Sequence, residues 1–372
     1  MITPFLFSVT WMLSKQLGAW RKVELLPTPK SPASLYIQVN QDPLDPPHYS
    51  PKRFGENKIP WEFPWVTGGY AHVATEKNPF ELRFQIFAQE QKNSKAPQVA
   101  QMLLRLWDYN YERLKLVHSP LYHGGLVEVY LCYGGRAGGE QLLDEETTPD
   151  TVHPGRTIVN KVNTIYIYDL PSFTDPVEMA REVAHEYGHA TWWPIGGFNE
   201  PEEWADGYLA EKIYLRWLRD AMAKGEITPD DAMGATQAGL DKWVLENVDP
   251  LMMKAAQTLP TTALLADKSA AGMNAFIGLA TYIEALFPEK VFSRSLQLIG
   301  SVEAKDYPSG VLAAVEEPDE ITLNVPSKMF GHAIWLPVGK GKVTGGKIMK
   351  FDPSGWVQVE VRNAPIVITN KH

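Results

Sequence analysis

The chain has 372 residues, 44% of them apolar, one cysteine and a formal net charge of −9. That length buries a large core and divides into more than one unit. A single cysteine excludes an internal disulfide and leaves any metal centre to nitrogen and oxygen ligands. With no basic stripe standing out of so acidic a chain, nucleic acid is not an expected partner.

The first 32 residues read as a leader and a Pro/Lys linker. Ile2 to Leu13 is mostly apolar and has the length of a signal-peptide core. No Lys or Arg precedes it and no small-residue cleavage site follows, so an export signal and a segment packed on the body both stand as readings. Export is slightly favoured over the cytoplasm, and the compartment stays open. No run reaches transmembrane length, so no integral membrane span is expected.

Ala33–Asn40 reads as a strand opening a loop-rich segment over 33–78, in which Trp61-Glu62-Phe63-Pro64-Trp65 is a packing cluster. Glu81 to Phe87 alternates apolar and polar residues, as a half-buried strand does. A helical pattern follows from Pro97 to about Leu116. Val127 to Tyr133 alternates again and carries Cys132, a buried inert thiol on this reading. Gly134 to Gly139 is glycine-rich but lacks the Lys-Ser/Thr ending of a phosphate loop. A mobile loop is expected there. Thr164-Ile165-Tyr166-Ile167-Tyr168 is β-branched and aromatic, hence a strand.

A helix should then begin at Asp175. Asp175 is a good N-cap, Pro176 suits the first helical position, and Glu178 has capping-box spacing. Val177, Ala180, Ala184, Tyr187 and Thr191 recur at helical intervals as a packing stripe, and Pro194 with Gly196-Gly197 stops the helix. On this helix lies His185-Glu186-Tyr187-Gly188-His189. Histidines four apart project from one helix face and can share one metal ion. A glutamate between them suits a base acting on metal-activated water. The pattern arises by accident in roughly one chain in a hundred of this length, so context must support it.

A catalytic zinc needs a third protein ligand and one open place. Asn199-Glu200-Pro201-Glu202-Glu203-Trp204-Ala205-Asp206 reads as the opening of a second helix, running to about Met222. On a helix Glu202 and Asp206 share a face. Glu202 can then bind the metal, while Asp206 fixes the tautomer of a ligating histidine. Glu202 could instead close a capping box with Asn199, and Glu200 or Glu203 could be the ligand. Asp206 could simply complement the helix dipole.

H-E-x-x-H followed by E-x-x-A-D resembles the gluzincin metallopeptidases, over roughly residues 81–219. The resemblance implies zinc on His185, His189 and Glu202, Glu186 as general base, and Asp206 supporting His185. It also implies that Thr164–Tyr168 is the edge strand that pairs with an extended peptide. The interval from His189 to Glu202 is short for many gluzincins. The metzincin extension is absent, because Trp192 and Ile195 stand where that family has glycine and histidine.

The expected fold is α+β. A zincin-like catalytic unit of mixed sheet and metal-binding helices spans 79–220, a helical subdomain 221–303, and a small β domain 304–372. In the last, 321–325, 333–338, 347–351 and 356–361 read as short strands between glycine-rich turns. His332, Tyr282 and Tyr208 are candidate oxyanion donors. The expected activity is zinc-dependent hydrolysis of a peptide or protein substrate. The rivals are a non-catalytic zinc protein that binds peptides or partners, and a zinc hydrolase of a non-peptide amide.

Overall fold

The computed structural model describes residues 81–362 except 89–94, 120–121, 150–151 and 153, together with 365–370 and the backbone of three earlier strands. Ile2–Leu13 and Trp61–Trp65 lie outside the described residues. The protein is mixed α and β and divides into two compact units. Among the described residues no helix is long and apolar enough to cross a membrane.

The first unit takes in the chain up to Asp108, Val117–Thr191 and Leu218–Gln237. Its sheet has seven strands: β1 (Arg21–Glu24), β2 (Ser34–Asn40), β3 (Thr67–Ala74), β4 (Glu81–Ala88), β5 (Tyr122–Leu131), β6 (Gly138–Pro149) and β7 (Thr157–Tyr168). Their spatial order is β1-β2-β3-β4-β5-β7-β6. β1 to β4 form an antiparallel meander, while β4, β5 and β7 run parallel. β6 returns antiparallel along β7 and is the last strand of the sheet among the described residues. The parallel step from β4 to β5 needs a crossover. Helix α1 (Ala96–Tyr109) supplies it.

The alternation seen in the sequence becomes two buried faces. Phe84, Ile86, Val127, Val129, Ile165 and Ile167 are at most 1% exposed. Each contributes about 1.5–3 kcal/mol over an exposed side chain. Phe87, Tyr130, Tyr166 and Tyr168 stack as a ladder with ring centroids 5.2, 4.9 and 5.9 Å apart. Cys132 is a free, buried thiol beside them.

The structure departs from the sequence expectation at two places in this sheet. Thr164–Tyr168 is not an edge. It lies in β7, with β5 on one side and β6 on the other. The edge is β6, whose Gly138 and Gly139 pair with Tyr168 and Ile167 instead of forming a loop. Charged residues and glycine blunt an edge strand, so it loses the apolar alternation by which strands are read.

The second unit comprises Tyr109–Leu116, Trp192–Trp217 and the chain from Ala238 onward. It opens with a short π-helix, Asn110–Leu114, which continues the helix expected to about Leu116 and ends it at Leu114. Helix α3 (Asp206–Ala223) begins in this unit. Then follow α4 (Gln237–Asn247), α5 (Asp249–Thr258), α6 (Ala270–Leu286), α7 (Glu289–Gln297) and α8 (Tyr307–Glu316). α6 is apolar almost all round and is buried accordingly.

Six short strands complete it: β8 (Glu320–Leu323), β9 (Ala333–Pro337), β10 (Lys342–Thr344), β11 (Lys347–Phe351), β12 (Trp356–Glu360) and β13 (Ile366–Thr369). They form two antiparallel three-stranded sheets, ordered β10-β13-β8 and β11-β12-β9. The Tyr282 hydroxyl of α6 donates to the Trp335 carbonyl of β9 at 2.7 Å. Asn370 donates to the carbonyls of Val315 and Pro318.

Candidate metal centre

Helix α2 (Pro176–Thr191) carries the two histidines. Its start is the expected one: the Asp175 carboxylate accepts from the Val177 N–H at 2.9 Å. Glu178 pairs with Arg181 one turn on. Val177, Ala180, Val183, Ala184 and Tyr187 are buried, and the helix lies against β6 and β7.

Two polar anchors fix its position. Asn163 of β7 donates to the Ala190 carbonyl at 2.8 Å, capping an orphan carbonyl of the last turn. Asn163 in turn accepts from Gln141 of β6 at 2.8 Å. On the other side, His118 Nε2 stands 2.8 Å from the Tyr187 hydroxyl and Nδ1 2.8 Å from the Gly125 carbonyl. That carbonyl can only accept, so Nδ1 carries the proton and Nε2 accepts from Tyr187. Burial first, with the nearby Arg83 charge, lowers the His118 pKa to about 4 against the Gly125 hydrogen bond, so this ring is neutral. Sequence reasoning did not single out His118 or Asn163. Both are isolated polar residues, and only the fold shows what they hold.

The anchored helix buries His185 and Glu186, at 6% and 4% exposure. His189 is half-buried. The Nε2 atoms of the two histidines are 3.1 Å apart and their rings are nearly perpendicular. Beside them the sheet edge makes room for the glutamate. An ideal Cβ at Gly139 would fall 2.4 Å from Glu186 Cγ and Oε1. The residue at this register must therefore be glycine if Glu186 is to keep its place.

Glu202 arrives differently from the expectation. Residues 199–205 are not helical, and α3 starts only at Asp206. The chain forms a small hairpin in which Ala205 N–H donates to Ile195 O and Phe198 N–H donates to Glu203 O. Gly196 bridges Trp204 across it. The Trp204 ring packs where a Gly196 side chain would stand, with an ideal Cβ 2.5 Å from the ring. The hairpin is tied down by Gly196 N–H to Val302 O and Asn199 N–H to Lys268 O. Long-range pairing thus overrides the local helix signal. It also removes the shared helix face of Glu202 and Asp206 and the proposed Asn199 capping box. Asp206 is the first residue of α3 and is buried.

One ligand atom from each of His185, His189 and Glu202 lies within 4.8 Å of the other two, a group that could hold a metal ion. The donor set is two imidazoles and a carboxylate. Two nitrogens on one tetrahedral cation, each at 2.0–2.1 Å, stand roughly 3.3 Å apart, close to the 3.1 Å between these two. Among the oxyanion candidates, Tyr282 has its hydroxyl buried on Trp335. His332 is exposed, with Gln257 at 3.4 Å. The Tyr208 ring has the Lys212 ammonium 5.3 Å from its centroid.

Compared with known proteins, the chain matches no family model and no curated sequence.

Proposed function

We propose that the protein is a zinc-dependent peptide hydrolase of the gluzincin type, built on a zincin-like fold. The observation that carries this reading is the convergence of His185, His189 and Glu202 donor atoms within 4.8 Å. Buried beside the two histidines on the same helix is Glu186. Two imidazoles and one carboxylate, leaving an open coordination place, are a catalytic zinc set rather than a closed structural one. Zinc held by these three side chains would supply Lewis acidity and would lower the pKa of a water toward neutrality.

The chain's own residues do the rest. Glu186 takes the proton of the attacking water on its carboxylate and returns it to the nitrogen of the leaving amine. Gly139 keeps that carboxylate in place. β6 is the last strand of its sheet among the described residues, and an extended peptide can add to such an edge. A purely structural or ligand-capturing site has no use for Glu186.

The test is digestion of a broad peptide library by purified protein, with and without chelator, alongside the Glu186→Gln variant. Wild type cleaves, chelator stops it, and added zinc restores it. Glu186→Gln keeps its zinc and loses about 10²–10⁴-fold in rate. Normal turnover by that variant rejects the mechanism. A chain that binds zinc and peptides but cleaves none is the non-catalytic alternative.

A further inference from the structure

The acidic total conceals one basic stretch. From Ile321 to Phe351 the chain has five lysines and no Asp or Glu. The net charge is −9, so the remaining residues carry −9 − 5 = −14. Lys328 is engaged with Asp249 at 2.5 Å. Lys340, Lys342, Lys347 and Lys350 are all exposed. Two of them make loose contacts: Lys347 Nζ is 3.8 Å from Glu360, and Lys350 Nζ lies 5.7 Å from the Trp335 ring centroid.

Apolar groups sit among these charges. All five residues of β11 are exposed. Ile348 is 41% exposed, Met349 51% and Phe351 69%. Single exposed apolar residues are ordinary, but three on one short strand ask for an explanation. β11 is the outer strand of its sheet, and its register with β12 slips between Ile348 and Lys350, bulging Met349. A bulged, lysine-bearing edge resists addition of another strand. The occupant therefore takes up side chains rather than backbone hydrogen bonds.

We propose that β11 and its neighbouring lysines are a docking surface for an anionic lipid headgroup layer. The lysines meet the negative surface, and Ile348, Met349 and Phe351 enter the boundary between headgroups and acyl chains. Attraction is local, since the rest of the chain is repelled. Three acids border the patch, and one of them, Glu316, accepts from the Lys340 N–H at 3.1 Å. Glu360 faces Lys347, and Asp352 is hydrogen-bonded by the N–H and hydroxyl of Ser354.

Co-sedimentation of the full chain with vesicles of phosphatidylcholine containing about 30 mol % phosphatidylserine tests this. Binding should be seen there and not on phosphatidylcholine alone, and it should weaken with salt. Each lysine near such a surface is worth about fivefold, so K347E/K350E should weaken binding by roughly 25-fold or more. M349S/F351S should also lose vesicle binding by about fivefold or more while leaving retention on heparin unchanged. These positions are exposed, so thermal melting should stay at the wild-type value and exclude misfolding. Equal binding to neutral vesicles overturns the proposal. So does vesicle binding that M349S/F351S leaves intact, which would mark a polyanion or acidic-protein surface instead.

Discussion

Gly139 and Glu186 occupy complementary space: a Cβ at Gly139 would lie 2.4 Å from the Glu186 side chain. Gly139 is held in register by pairing with Ile167, and Glu186 sits on a helix anchored at Ala190 and Tyr187, so neither backbone yields easily. Gly139→Ala should therefore displace the carboxylate. A shift of about 1 Å in a reacting group costs on the order of 10²-fold in kcat. Zinc content should not change, because the proposed ligands His185, His189 and Glu202 are other side chains. Loss of zinc in Gly139→Ala, or unchanged kcat, would show that the contact does not position Glu186.

The Glu202 hairpin makes a second prediction. Trp204 packs on the bare face of Gly196. Gly196→Val should push the ring out and move Glu202 with it. The expected result is zinc affinity weakened about 10–100-fold, the range seen when a ligand loses its support. Competition with a chromophoric chelator measures it. Wild-type affinity would mean that Glu202 is not oriented by the hairpin.

His118 gives a pH signature. Its pKa falls from 6.5 to about 4 in the fold, chiefly through burial. Between those values the unfolded chain binds the proton and the native ring does not. Stability is therefore full above about pH 6.5 and declines as pH falls toward 4, by roughly 3 kcal/mol in all. His118→Gln should flatten that part of the urea-midpoint profile between pH 7.5 and 4.5. A parallel decline in the variant would place the titration on another group.

Asp231 is the buried partner of Arg105 at 2.7 Å and also accepts from Gln101 and the Thr228 N–H. Burial raises its pKa, but the Arg105 charge and these hydrogen bonds outweigh it and hold the carboxyl below its usual range. Its stabilisation is present above the ordinary carboxylate pKa and is lost as pH falls through the lowered one. Asp231→Ala should cost about 3–5 kcal/mol by taking the carboxylate away from a buried guanidinium, read from urea unfolding at neutral pH. A cost under about 1 kcal/mol would mean that water reaches Arg105.

What the sequence revealed follows a physical pattern. β4, β5, β7 and α2 were legible because their apolar residues recur at the periods of strand and helix, and each buries the stripe that period defines. β6 was not, because an edge strand built of Gly138-Gly139-Glu140-Gln141 shows no such period. The edge role that the gluzincin resemblance implies for Thr164–Tyr168 falls to β6 instead. Glu202 was placed on a helix because Asn199 and the following acids mimic a helix start. The Gly196–Trp204 hairpin that displaces the start is tied to Val302 and Lys268, partners too far along the chain for any local window to contain. His185, Glu186 and His189 were legible because one helix sets their spacing.

We propose that His185, His189 and Glu202 together hold one divalent cation. Elemental analysis of the purified chain, compared with His189→Ala and with the His185→Ala/Glu202→Ala pair, tests it most directly. About one zinc per wild-type chain is expected, and none above background in either variant. Metal-free wild-type protein that stays so after incubation with zinc, or variants that retain a full equivalent, would contradict it.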